Sequence, residues 1–201
     1  MYISCMLVGE AKGEHEDIDL GTWYSFEVAR TRGKTKDIIR VLYPDNIAEE
    51  EKTRIVLGEK YIITGTMEER IYKEGKSNKD LSLIINMIES TDPSTPTQAM
   101  VSFVTKKKPT RRVDKLPQKV TFTARIPKLR KSRGTDYFVT NVAGWHRMGD
   151  MLEELEDEKP YLFIGRPVRR FFNLHGEQRS LVEISLSQIQ EVSDGENQIS
   201  L

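Results

Sequence analysis

Apolar and polar residues alternate at a period of two along several short stretches of this chain, and helical periodicity is scarce. Tyr24, Phe26 and Val28 alternate with polar neighbours, the pattern of a strand with one buried face. The same alternation places Trp23 opposite Tyr24 and therefore pointing outward. A turn around Arg32-Gly33 leads into a further strand over residues 37–43, so these two strands are expected to form a hairpin. Residues 2–8 read as an earlier strand, followed by an acidic loop over 9–21 that could fold across a binding face and compete with a polyanion. Pro44-Asp45-Asn46 stops the third strand and offers a cap for a helix over 47–56. Strands over 61–72 and 81–88 complete the series, joined by a polar loop.

The chain then says the same thing again. Tyr61-Ile62-Ile63-Thr64-Gly65, Glu69-Arg70-Ile71-Tyr72 and Leu81-Ser82-Leu83-Ile84 are answered about one hundred positions later. The answers are Tyr161-Leu162-Phe163-Ile164-Gly165, Arg169-Arg170-Phe171-Phe172 and Leu181-Val182-Glu183-Ile184. A repeat of that length is too long for a solenoid unit and suits a small domain. Small polar residues with Pro93 and Pro96 mark a linker. The expected organisation is a first domain over 1–90, a linker over 91–98, a second domain over 99–192 and an acidic tail over 193–201. In the second copy, strands fall at 100–105, 119–127, 137–143, 161–172 and 181–189, and Asp150 can cap a helix over 151–156. Three strands, one short helix and two strands is the element order of an OB-fold barrel. The fold expected is mainly β: two tandem five-stranded barrels, each with one short helix between strands three and four.

Charge changes the picture more than composition does. The chain is 37% apolar and 31% charged with a formal net charge of zero. Residues 1–100 carry 13 Lys or Arg against 18 Asp or Glu, whereas residues 101–190 carry 18 against 10. The first copy is thus acidic and the second basic, which suggests a polyanion for the second; mutual attraction of the two faces is the bland alternative. The single cysteine, Cys5, excludes an intrachain disulfide and suits a reducing, cytoplasmic setting. No apolar run is long enough to span a bilayer, and residues 1–9 lack the features of a secretory leader.

Enzymatic constellations are poorly represented. His15, His146 and His175 share no ligand spacing, and the run Glu153 to Glu158 reads as a solvated face. Lys73-Glu74-Gly75-Lys76-Ser77 has the wrong glycine spacing for a phosphate loop. The expectation is a protein without catalytic activity, cofactor or metal site.

Basic residues interleaved with aromatics suit single-stranded nucleic acid instead, because cations track phosphates while flat rings stack on unpaired bases. An OB barrel presents the face of its second and third strands, and its loops, to such ligands. The candidates in the second copy are Lys106, Lys107, Lys108, Arg111 and Arg112 in its first loop, Arg125, and Lys128, Arg130, Lys131 and Arg133 between strands two and three. Arg166, Arg169 and Arg170 follow along strand four. Trp23, Arg32, Lys34 and Arg40 are candidates in the first copy. The rival reading of Lys106 to Arg112 is a solubilising loop or a localisation-type run, and Trp145 fits a structural role at the end of the barrel. Phe171 and Phe172 are neighbours on a strand, so one is expected in the core and the other free to stack.

Residues 135–144, Thr-Asp-Tyr-Phe-Val-Thr-Asn-Val-Ala-Gly, together with Tyr161 to Gly165 and Arg169-Arg170-Phe171-Phe172, resemble the bacterial single-stranded-DNA-binding protein family. The resemblance covers strands three to five of each copy. It implies that Tyr137 and Phe172 stand where that family has base-stacking tryptophans, and it assigns Ile38 and Tyr72 to those places in the first copy. Ile38 and the pair Glu68-Glu69 depart from the family pattern, which sets the first copy apart. The resemblance further implies a homodimer, matching the four barrels of other members, and tail-mediated contacts with replication or recombination proteins. The function expected is sequence-independent binding and protection of single-stranded DNA in replication, recombination or repair in a bacterium, phage or mobile element. The rival readings are a primosome-like accessory OB protein that docks other proteins and a single-stranded-RNA-binding protein.

Overall fold

The computed structural model of the chain describes residues 3–30, 35–72, 78–106, 108–112, 119–127, 137–174 and 176–192. The first copy supplies β1 (Ile3–Asp17), β2 (Gly21–Ala29), β3 (Lys36–Leu42), β4 (Lys60–Tyr72) and β5 (Asn78–Ser90). The second supplies β6 (Gln98–Thr105), β7 (Thr110–Arg112), β8 (Lys119–Pro127), β9 (Tyr137–Trp145), α1 (Arg147–Glu154), β10 (Tyr161–Leu174) and β11 (Glu177–Glu191). The chain is mainly β, as its alternation implied.

Two compact units result: Ser4–Val101 with Pro167–Val182, and Met1–Ile3 with Ser102–Arg166 and Glu183–Leu201. The outer half of the β10–β11 hairpin, Pro167–Val182, thus groups with the first copy, and we call it the arm. In the first-copy unit the hydrogen-bonded order is β2-β3-β5-β4-β1, and β2 also pairs with β1, so the ladder returns to its start. A register shift between Ala11 and Gly13 bends β1 as it passes from one partner to the other. In the second copy the order is β6-β10-β11-β9-β8-β7. There β6 and β7, successive segments of chain, divide the two pairings that β1 makes alone. Both ladders place their third and fifth strands in parallel.

Alternation decides what the ladders bury. Phe26, Ile39, Val41, Ile63, Met67 and Leu83 fill the interior of the first copy. Phe103, Phe122, Val142, Leu152, Phe163 and Ile184 fill that of the second, where the rings of Phe103 and Phe163 stack with centroids 5.1 Å apart.

The repeat is also one of small locking contacts. Tyr61 Oη accepts a bond from the Val56 backbone N–H at 2.9 Å, and Tyr161 Oη accepts one from Glu156 N–H at 3.3 Å. Gly65 and Gly165 lie where a side chain has no room: a Cβ would sit 1.9 Å from the Ile84 carbonyl oxygen in one and 2.5 Å from that of Ser185 in the other. Gly58, at φ +89°, and Glu158, at φ +67°, make the same left-handed turn before the fourth strand.

Two expectations need correction. Residues 9–17 are not a loop but the continuation of β1, opposite β2, so no acidic flap lies there. The helix expected over 47–56 is reduced to a single 3₁₀ turn at Glu49–Glu51, none of whose residues is buried. A short helix depends on an apolar face packed against something, and three adjacent glutamates provide none. In the second copy α1 buries Leu152 and persists. It begins at Arg147, ahead of the Asp150 cap expected from the sequence.

Candidate nucleic-acid interface

On the outer face of β2 and β3, the side chains expected to meet a ligand meet one another instead. Trp23 keeps the outward direction that alternation gives it, yet it is only 3% exposed, which corrects the expectation that it is open to a ligand. The cause is the extension of β1: His15 is the direct cross-strand partner of Trp23, and their rings stack 3.9 Å apart at 12°. Tyr72 approaches Trp23 edge-on at 5.0 Å, and the Arg40 guanidinium lies over both rings, 4.7 Å from Trp23 and 4.0 Å from Tyr72. Leu20, Leu42 and Ile84 pack around this stack. Tyr72 is fully buried and shares a 2.5 Å hydrogen bond with Ser82 Oγ. Burial pushes its phenol up to about 12, against the lowering effects of Ser82 and Arg40. Trp23, Tyr72 and Arg40 are therefore brought together as a sealed cluster.

The arm carries both a correction and a surplus. Arg169 is 7% exposed and spent on protein partners, so it does not project toward solvent as a phosphate contact must. Its Nη2 donates to Asp80 Oδ2 at 2.5 Å, its Nε to the Ile38 carbonyl at 3.1 Å and its Nη1 to Ser180 Oγ at 3.1 Å. Two residues on, the strand runs past its covering. Phe171 is 64% exposed and Phe172 39%, so neither is in the core and the expected division between them does not occur. Arg166 and Arg170, on the same strand, are half-buried.

In the second copy the outer face of β8 and β9 bears small or polar side chains where the first copy has its ring stack. Thr121, Thr123 and Arg125 face Ala143, Asn141 and Val139 in register, and Arg125 and Val139 are exposed. Beyond them Trp145 is 38% exposed, with Lys119 Nζ 6.0 Å above its ring. Lys119 is itself held by buried Glu183 at 3.0 Å. The turn that carries Trp145 is tight: Gly144 has Met148 O and Gly149 N within 2.8 Å of any added Cβ, and His146 sits at φ +50°. The sequence alone assigns Trp145 a capping role and leaves open which of Phe171 and Phe172 stacks. The signal that could have found them is the parity of β9 and the length of β10 beyond the repeated glycine.

The remaining candidates are placed as follows. Lys106 and Lys108 are exposed, and Lys108 Nζ donates at 2.7 Å to the Glu153 carbonyl at the C-terminal end of α1. Arg111 and Arg112 pair with Phe122 and Thr121 on β8, and Tyr137 opens β9 opposite Pro127, with the side chains of all three outside the described residues. Arg32, Lys34, Lys107, Lys128, Arg130, Lys131 and Arg133 lie outside the described residues altogether. No helix among the described residues is long and apolar enough to cross a membrane.

No protein-family model and no curated protein matches the sequence. Solved structures do match. The wild-type single-stranded DNA binding protein from Thermus aquaticus aligns with a TM-score of 0.66 at 15% identity, over 98% of this chain and 96% of its own. A deletion mutant of that protein aligns at 0.65 and 14% identity, over 96% of this chain and 95% of its own. The small single-stranded DNA-binding protein from Streptomyces coelicolor matches 46% of this chain and 93% of its own at 19% identity, with a TM-score of 0.33. Across almost its whole length, both copies included, the chain has a fold similar to that of the Thermus aquaticus single-stranded DNA binding protein.

Proposed function

We propose that this protein binds single-stranded DNA without sequence preference, as a non-enzymatic coat in replication, recombination or repair, and that the second copy of the repeat does the binding. Each copy is an OB barrel in this reading, and the first serves as scaffold. The observation that carries it is the pair of exposed rings, Phe171 and Phe172, next to Arg170 on the arm. Adjacent exposed aromatics are disfavoured in water unless something covers them, and an unpaired base is a flat, apolar cover. Cations beside them neutralise phosphates and release counterions. The basic segments 106–112 and 128–133 add positive charge to the same copy, and Tyr137 adds a further ring. Support for the ligand class comes from the fold shared with a protein that binds single-stranded DNA.

The test is a titration with oligothymidine at two salt concentrations. Sub-micromolar binding that weakens steeply as salt rises is expected. Micromolar or weaker binding at low salt, with no salt slope, would falsify the proposal. Matched DNA and RNA oligomers in competition identify the sugar, since only a contact to the 2′-hydroxyl prefers RNA.

A further inference from the structure

The sequence presents Arg169 as one more cation on a basic strand, yet its surroundings are those of an anchor. Its backbone N–H donates to Asp37 Oδ1 at 3.0 Å, and its carbonyl accepts from Arg30 Nη2 at 3.1 Å. Arg30 in turn grips Asp37 with a two-bond fork of 2.9 and 2.8 Å. Asp80, which takes the Arg169 guanidinium, also lies 3.6 Å from Arg40 Nε. All of these residues belong to one unit. Main chain and side chain at position 169 are thus fixed at once to β3 and β5, and the bond to Ser180 ties β11 back to β10 across the arm.

Burial of several charges is tolerated only when each has good partners, and such a network specifies one geometry at the cost of alternatives. Phe171 and Phe172 follow immediately after this fixed point. We infer that Arg169 is a positioning residue: it clamps the arm to β3 and β5 so that the two rings are held in place before a ligand arrives. Ordering the arm in advance removes an entropy cost from binding. The inference rests on the proposed function for what the rings do, but the clamp itself does not.

The variant that separates clamp from phosphate contact is Arg169→Lys. An ammonium serves a phosphate as a point charge, whereas it cannot reproduce a planar fork that serves Asp80, Ile38 and Ser180 together. Hydrogen exchange of peptides from 167–182 in the free full-length protein is measured first. The clamp predicts amide exchange there faster by about tenfold or more, with peptides from β8 and β9 unchanged. Oligothymidine titration is measured second, and affinity is expected to fall about fivefold or more with the salt slope unchanged. Unaltered exchange overturns the inference, as does a salt slope reduced by about one with exchange intact, which is the mark of a phosphate contact. Should Arg169→Lys fail to fold, Ser180→Ala removes one strut alone: faster exchange confined to the arm supports the clamp, and unaltered exchange overturns it. If the wild-type protein binds no oligothymidine, the functional proposal fails and the exchange measurement still decides the clamp.

Discussion

Tyr72 and Phe172 occupy matching places in the two copies, and they differ in what surrounds them. Tyr72 is closed over by Arg40, Trp23 and Ser82, whereas Phe172 stands exposed beside Phe171. Trp23, opposite Leu42, is likewise answered by Thr121, opposite Ala143. The locking glycines are the same, so the difference lies in the side chains on the outer face and in the unbroken β1, which lays His15 over Trp23. One copy uses its aromatic residues for its own stability. The other leaves them to solvent, which is where a ligand can reach them.

Substitutions that exchange these roles break the comparison most sharply. Trp23→Ala should cost about 3 to 5 kcal/mol of folding stability, as expected for removing a large buried ring, whereas Trp145→Ala should cost well under half as much; denaturant melts of both variants measure the contrast. A tryptophan variant at 23 as stable as the one at 145 would remove the claim that the first face is sealed.

High pH sharpens it next. Burial pushes the Cys5 thiol from 9.0 up to about 12 and the Tyr72 phenol from 10.0 up to about 12. Both groups are neutral when protonated, and folding holds the proton more tightly. The unfolded chain therefore loses its protons first, and stability is fully present below about pH 9 and falls as pH rises toward about 12. Tyr72→Phe should remove on the order of 2 to 3 kcal/mol of that alkaline loss, seen as a flatter melting-temperature profile between about pH 10 and 12. Its second-copy counterpart, Phe172, has no such group to lose.

Phe171→Ala and Phe172→Ala should each weaken oligothymidine binding by about 1 to 3 kcal/mol and leave the melting temperature nearly unchanged. Tyr72→Ala should do the reverse, with the loss in stability. The smallest effect concerns the turn before the fourth strand. Glu158 holds a left-handed conformation for which the first copy has Gly58. Glu158→Gly should stabilise the second copy by about 0.5 kcal/mol, the relief of strain being partly offset by the freedom glycine gives the unfolded chain. Gly58→Glu should destabilise the first by about 1 kcal/mol.

Much of the strand content was legible because period-two alternation is a local signal. The strands around Phe26, Ile63 and Phe163 and the helix near Leu152 needed no knowledge of partners. The site was less legible, because exposure depends on which segments cover a face. Nothing near Trp23 in sequence announces that His15 will lie across it, since residues 9–17 read as an acidic loop until the ladder of β1 with β2 is known. Arg169 reads as a surface cation among cations, and only contacts from 80 and 37, far away in the chain, reveal it as buried. The failed helix over 47–56 shows the same limit from the other side: the sequence offers a cap at Asp45-Asn46, but the 3₁₀ turn that forms has no side-chain cap and no buried residue.

The two tryptophans offer the most direct test, since one reports on each copy. Trp23→Phe leaves Trp145 as the only tryptophan, and Trp145→Phe leaves Trp23. Each variant is titrated with oligothymidine at low salt while its tryptophan emission is followed. If the second copy binds and the first is sealed, the emission of Trp145 is quenched to saturation and that of Trp23 stays constant. Quenching of Trp23 with Trp145 silent would contradict that division.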